Sequence, residues 1–180
     1  GENALLAWYD ASDEDNFIFA SASSFAVEKW LDISGNGNDL TAYAADQRPE
    51  WNEDLINDLP ALDFERSEAD QLSKTGGVFP YNASAGTIVA LYALESAAES
   101  TLFTQNAGSG DDPITLRIGS DAETEIHTNT TTIVKKALVA EVPYIVVARF
   151  VEGSTNLQSC LYTQNSRDCD NTAAIADFHI

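Results

Sequence analysis

Methionine is absent from this 180-residue chain, cysteine and histidine occur twice each, and nine Lys and Arg face 29 Asp and Glu. The shortage of positive charge, with a net charge of −20 and a pI near 4.1, argues against nucleic acid, whose phosphates are neutralised by clustered Lys and Arg. It argues equally against an anionic membrane surface. No apolar run approaches the roughly 18 residues of a membrane span. The longest, Tyr144 to Val151, is interrupted by Arg149, so no membrane insertion is expected. Cys160 and Cys169 are separated by eight residues, and with only His127 and His179 besides they do not form a zinc set at the usual spacing. A Gly-x-Ser-x-Gly nucleophile elbow is missing, and two isolated histidines offer little choice of catalytic base.

What is present suits a folded domain. Apolar residues make up 44% and aromatics 9%, enough for a sizeable core in one domain of this length. The acidic excess is spread along the chain, which favours solubility in salty surroundings. Part of it gathers in loops rich in oxygen ligands, the kind that suit Ca²⁺. These loops run from Asp10 to Asn16, from Asp32 to Asp39 and from Gly108 to Asp112. Asp10, Asp13, Asp15, Asp111 and Asp112 are the candidate metal ligands, although none of the loops has full EF-hand spacing.

Two-residue periodicity dominates. Ile114, Leu116 and Ile118 alternate with Thr115 and Arg117, and Leu62 and Phe64 alternate with Asp63 and Glu65, as half-buried strands do. Thr87 to Leu94 and Tyr144 to Val151 are apolar on both faces and read as central strands covered by two layers. Leu5 to Tyr9 and Asn156 to Tyr162 read as further strands. Ser24 to Ile33 fits a helix capped by Ser24 or a strand from Val27 equally well. Turns are expected at Gly35 to Asn38, Gly76-Gly77, Gly108 to Pro113 and Glu152 to Ser154. Many short strands with polar turns predict an all-β, two-sheet antiparallel sandwich.

Four segments carry a family resemblance: Leu6 to Asp13 (LAWYDASD), Trp30 to Leu40 (WLDISGNGNDL), Arg48 to Trp51 (RPEW) and Ile56 to Phe64 (INDLPALDF). In order and spacing they resemble the opening strands of laminin G-like, concanavalin A-like jelly-roll domains of bacterial surface proteins. The resemblance covers about a third of the chain; beyond Phe64 only the strand pattern continues. It implies an extracellular module, with relatives that include lectins, adhesin modules and some glycoside hydrolases, so fold alone narrows function weakly. Residues 1–180 then read as one such domain from a larger secreted protein. Its end at Ile175 to Ile180 suggests a jelly roll that is truncated or split, with closing strands supplied elsewhere.

Asp32, Ser34, Asn36 and Asn38 first of all build a turn, with Gly35 and Gly37 taking positive φ. Asp32, Asn36, Asn38 and Asp39 are also the candidate ligand contacts, for a carbohydrate or a surface polymer. The hydrolases of this superfamily carry a Glu-x-Asp-x-Glu strand, which this chain lacks. Its nearest approach, Asp121 to Glu125, reads as a solvated edge or loop, and His127 as a polar loop residue. The expectation is therefore a binding module and not an enzyme, with a spacer domain of a large adhesin or a polysaccharide-degrading enzyme as the alternatives. Trp8, Trp30 and Trp51 could stack on sugar rings, yet each reads first as core. Asn82-Ala83-Ser84 and Asn129-Thr130-Thr131 match the glycosylation sequon, a coincidence in a bacterial chain.

Cys160 and Cys169 flank a polar hairpin tip. A disulfide there would contribute about 2–3 kcal/mol on the chain-entropy model and would place the chain in an oxidising compartment; the alternative is two free thiols. Mass spectrometry of the native, unreduced protein should find neither cysteine alkylated, and two alkylated thiols would exclude the bond.

Overall fold

A computed structural model of the chain describes residues 5–79, 85–96, 98–105, 114–119, 123–128, 131–151, 157–162 and 167–172. The protein is mostly β, and the strand pairs are antiparallel. Helical structure among the described residues is limited to two single turns of 3₁₀-helix, Glu14–Asn16 and Arg66–Glu68. The chain divides into two compact units, Gly1–Val78 and Phe79–Ile180.

The first unit holds β1 (Phe17–Phe19), β2 (Val27–Trp30), β3 (Leu40–Ala42), β4 (Glu50–Ile56), β5 (Leu59–Asp63) and β6 (Leu72–Ser73). One sheet runs β1-β2-β3-β6, and β4 and β5 form a hairpin. Asn57 and Asp58 turn that hairpin at φ 53° and 59°, the paired positive angles that a tight two-residue turn demands and that Asn and Asp tolerate best. An isolated bridge, Ala26 to Glu50, ties the hairpin to the chain entering β2. Phe17, Val27 and Trp51 are buried together, with Ala11, Phe19, Trp30, Leu62 and Leu72 packed around them. The two core tryptophans also satisfy their indole N–H groups, Trp51 donating to the Ala11 carbonyl at 2.9 Å and Trp30 to that of Asp10 at 3.3 Å. Full burial of such side chains contributes about 1.5–3 kcal/mol each, and their polar edges fasten the 10–11 loop to the core.

The second unit contains β7 (Ala85–Tyr92), β8 (Ser100–Gln105), β9 (Ile114–Ile118), β10 (Glu123–Thr128), β11 (Thr131–Ala137), β12 (Tyr144–Val151), β13 (Leu157–Tyr162) and β14 (Arg167–Thr172). They form two four-stranded sheets, β11-β10-β9-β8 and β14-β13-β12-β7. A single core cluster takes Leu116 and Ile118 from the first sheet and Tyr92, Tyr144, Val146 and Ala148 from the second. Val139 donates its backbone N–H to the buried Tyr144 hydroxyl at 2.8 Å, fixing the connection into β12. Gln105 acts as a side-chain strand, accepting from the Phe79 amide and donating to the Phe79 carbonyl, both at 2.9 Å.

Several sequence expectations are met. β9 buries Leu116 and Ile118 and leaves Arg117 half-exposed, β12 spans Tyr144–Val151 as expected, and Val27–Trp30 is a strand rather than part of a helix. Others are corrected. Leu5 to Tyr9 is not a regular strand, because side chains of a turn, and not a neighbouring strand, supply most of its hydrogen-bond partners. Thr87 to Leu94 and Tyr144 to Val151 are not covered on both faces: Val89 and Leu91 are 65% and 60% exposed, and Ile145, the register partner of Leu91, is exposed as well. An apolar composition marks a strand without marking how many layers lie on it. Asp121 to Glu125 is not a solvated loop in its described part, and His127 is not in a loop. Both lie on β10, between β9 and β11, where the opposed charge of Arg117 permits a carboxylate inside a sheet.

The β13–β14 register sets Cys160 opposite Cys169. The Cα spacing of facing antiparallel residues, about 4.5–5.5 Å, lies within the range that a disulfide bridges; the two side chains lie outside the described residues. The expected terminal strand Ile175 to Ile180, His179, the sequon Asn82-Ala83-Ser84, the Asn129 and Thr130 of the other, and the turns at 108–113 and 152–154 also lie outside them.

Replacing Tyr144 with Phe should lower stability by about 1 kcal/mol, the net value of one buried hydrogen bond whose partner loses its acceptor. Chemical denaturation read by near-UV circular dichroism checks this, and an unchanged midpoint would mean that the hydroxyl contact is not made.

Candidate functional site

In the first unit the turn after β2 is organised around one carboxylate. Asp32 is only 8% exposed. Its Oδ1 accepts the backbone N–H groups of Trp8 and Ser34, and its Oδ2 accepts that of Asn38, all at 2.9 Å. The Asp32 N–H in turn donates to Asp39 Oδ1 at 2.9 Å. Two asparagine amides complete the connection to the preceding segment. Asn36 Nδ2 donates to the Leu5 carbonyl at 2.8 Å, to that of Leu6 at 3.2 Å and to Ser34 Oγ at 3.0 Å, while Asn38 Nδ2 donates to the Leu6 carbonyl at 2.7 Å. The Ile33 amide reaches the Trp8 carbonyl at 3.0 Å. Gly35 and Gly37, at φ 87° and 69°, allow the chain to curl so that these groups converge.

The electrostatics follow from this geometry. Burial by itself pushes the Asp32 carboxyl up, but the amides of Trp8, Asn38 and Ser34 and the Ser34 side chain outweigh it and hold the group down at about 2. The Tyr9 hydroxyl donates to the Asn38 carbonyl. Burial first, and then the nearby charges of Asp32 and Asp39, push its pKa up to about 12. Lys29 approaches Asp39 Oδ2 at 3.8 Å.

The four residues expected to contact ligand, Asp32, Asn36, Asn38 and Asp39, are therefore brought together. Their oxygens and amides are engaged largely with each other and with residues 5–8. The acidic 10–16 loop is arranged differently. Asp10 Oδ1 accepts the Ser12 N–H at 2.9 Å, and Asp13 Oδ1 caps the following 3₁₀ turn through the Asp15 N–H at 3.0 Å. The Ser12 amide and then its hydroxyl pull the Asp10 carboxyl below its usual value. Among the described residues Asp10, Asp13 and Asp15 do not gather three ligand atoms within 4.8 Å of one another. The Asp10 and Asp13 carboxylates thus each accept a backbone amide of their own loop. Asp111 and Asp112 lie outside the described residues.

Two features were not anticipated. Trp8 is 53% exposed, unlike Trp30 and Trp51, and its indole makes no hydrogen bond among the described residues, although its backbone is clamped at both N–H and C=O. The repeated apolar-polar pattern around it read as core. In the second unit, Arg117 Nε meets Glu125 Oε2 at 2.9 Å and its Nη1 meets Glu99 Oε1 at 3.2 Å, with Glu125 only 4% exposed. The alternation of Arg117 within β9 was legible, but its partner was not, since that depends on the β9–β10 register.

No family model matches the chain, and no curated protein or solved structure is detectably similar to it.

Asp32→Asn places an amide N–H against a backbone N–H and should cost about 2 kcal/mol. The wild-type pH profile should carry two matching signatures. A depressed carboxyl contributes stability that is present above its unfolded value of 3.8 and lost as pH falls toward about 2. A raised tyrosine contributes stability that is present below 10.0 and lost as pH climbs toward about 12. Urea midpoints across both windows, compared with Asp32→Asn and Tyr9→Phe, test this. Identical acid limbs for wild type and Asp32→Asn would contradict the role of the carboxylate.

Proposed function

We propose that the chain is an extracellular, non-enzymatic binding module of a bacterial surface protein, on the two-sheet concanavalin A-like jelly roll that its opening segments resemble. In this reading its first unit recognises a carbohydrate or surface polymer through loops, with Ca²⁺ drawing Asp10, Asp13 and Asp15 together there, and Asp111 and Asp112 are a separate Ca²⁺ candidate in the second unit. The observation that carries it is Trp8, an indole more than half exposed on a backbone clamped by the Asp32 carboxylate and the Ile33 amide. A rigidly mounted aromatic face requires little ordering on binding, which favours affinity. Leu5, in the same segment, and Ile33, whose amide meets the Trp8 carbonyl, are exposed apolar residues too, while the exposed Asn36 and half-buried Asp39 lie in the turn that holds the segment. An apolar face beside a few oriented polar groups is what ring stacking with hydroxyl recognition needs. Support for the sandwich comes from the second unit, where one core draws on two four-stranded sheets.

A spacer domain is favoured by a different observation, the internal engagement of Asp32, Asn36 and Asn38, since a turn built only to be rigid would look the same. Trp8→Ala separates the two readings, because it removes the indole and keeps both backbone bonds. On a glycan array, run with and without calcium, wild type should bind and Trp8→Ala should lose about tenfold or more in affinity with little change in melting temperature. Absence of wild-type binding under both conditions would favour the spacer. Turnover of laminarin or alginate would point instead to an enzyme.

A further inference from the structure

We infer that Asn36 is a site of spontaneous covalent modification, and that its conversion to aspartate or isoaspartate releases residues 5–8 from the turn. The following residue, Gly37, has no Cβ to shield its backbone nitrogen, and the space where a Cβ would stand holds no other atom within 4 Å. Asn36 itself is exposed, so water reaches it. In the reaction the Gly37 backbone nitrogen gives up its proton and attacks the side-chain carbonyl carbon of Asn36. A carbon–nitrogen bond forms, the bond to Nδ2 breaks, and ammonia leaves with the proton, giving a cyclic imide. Water then opens the ring at either carbonyl, and no oxidant or cofactor is involved. Because the nucleophile is a deprotonated amide, the rate rises with pH.

The consequence follows from what Nδ2 does in the fold. It is the donor to the Leu5 carbonyl, the Leu6 carbonyl and Ser34 Oγ. A carboxylate has no proton to donate, so the aspartate product sets a charged oxygen 2.8–3.2 Å from two carbonyl oxygens, while in the isoaspartate product the backbone runs through the former side-chain carbon and the Nδ2 donor is lost as well. The new charge also joins Asp32 and Asp39 in the same turn. The Leu6 carbonyl keeps the Asn38 amide and Trp8 keeps Asp32, so the expected change is a loosening of residues 5–8 while the core of Phe17, Val27 and Trp51 stays folded. This inference is independent of any ligand.

The test is incubation of the whole chain at mildly alkaline pH and physiological temperature, with peptide mapping for a one-dalton gain at Asn36, alongside Asn36→Asp and Gly37→Ala. Wild type should gain the mass at Asn36 ahead of its other asparagines and release ammonia in equal amount. Gly37→Ala, which crowds the nitrogen, should keep its amide over the same period, and because Gly37 stands at φ 69° in the fold the same comparison is made in the urea-unfolded chains, where strain in the turn plays no part. Hydrogen exchange at the Trp8 amide, which Asp32 protects, should quicken about tenfold in Asn36→Asp and in aged wild type, with a melting temperature a few degrees lower. Persistence of the Asn36 amide in folded wild type while the urea-unfolded chain loses it would overturn the first half of the inference. Unchanged exchange at the Trp8 amide in Asn36→Asp would overturn the second.

Discussion

The first unit depends on a carboxylate removed from water without a cationic partner of its own among the described residues. Burying such a charge is costly unless the lost hydration is replaced, and Asp32 replaces it with three backbone amides drawn from Trp8, Ser34 and Asn38. The same bonds satisfy N–H groups in segments that no strand pairs. Asp32 therefore does for residues 5–9 and 32–39 what a sheet ladder does elsewhere in the chain. An acidic side chain suits this task because it can only accept, and the three backbone N–H groups aimed at it can only donate.

The two units are held by different kinds of interior. The first relies on aromatic edges and faces: Phe17 and Trp30 at 5.5 Å, Tyr9 and Trp30 at 5.5 Å, and Phe25 and Trp51 at 6.0 Å between ring centroids. Such rings bury much area per residue and bring polar edges that must find partners, which is why Trp30 and Trp51 also anchor the loop at Asp10 and Ala11. The second unit relies on alternating aliphatic residues of β9 and β12, closed at one end by the Tyr92–Tyr144 pair. Among the described residues its polar exceptions are Gln105, paired with the Phe79 backbone, and the Glu99–Arg117–Glu125 chain, in which one guanidinium serves two carboxylates. Where positive residues are few, one shared in this way does more than one paired singly.

The outward face of β7 and β12 gives the second unit a different surface. Leu91 lies opposite Ile145, and Val89 opposite the half-buried Val147, so cross-strand pairing gathers the exposed Val89, Leu91 and Ile145 into one strip. Their placement follows from strand periodicity and register alone, since a residue whose neighbours on either side face the core must face away from it.

The sequence by itself determined the β character of this protein, the positions of β9 and β12, the reversal at Gly35 to Asn38 and the hairpin between Cys160 and Cys169. Each of these is written in local terms, as two-residue alternation or as turn chemistry over a few adjacent residues. It also marked Asp32, Asn36, Asn38 and Asp39 as a group, because they are neighbours in the chain. Only the tertiary structure decided what that group holds. The partners of Asn36 and Asn38 are carbonyls about thirty residues earlier, and no local pattern encodes a contact across that distance. The exposure of Trp8, the burial of Glu125 against Arg117 and the open face of β7 and β12 were decided at the same level. Periodicity assigns a side chain to a face of its strand, whereas whether that face is covered depends on what the rest of the chain brings against it.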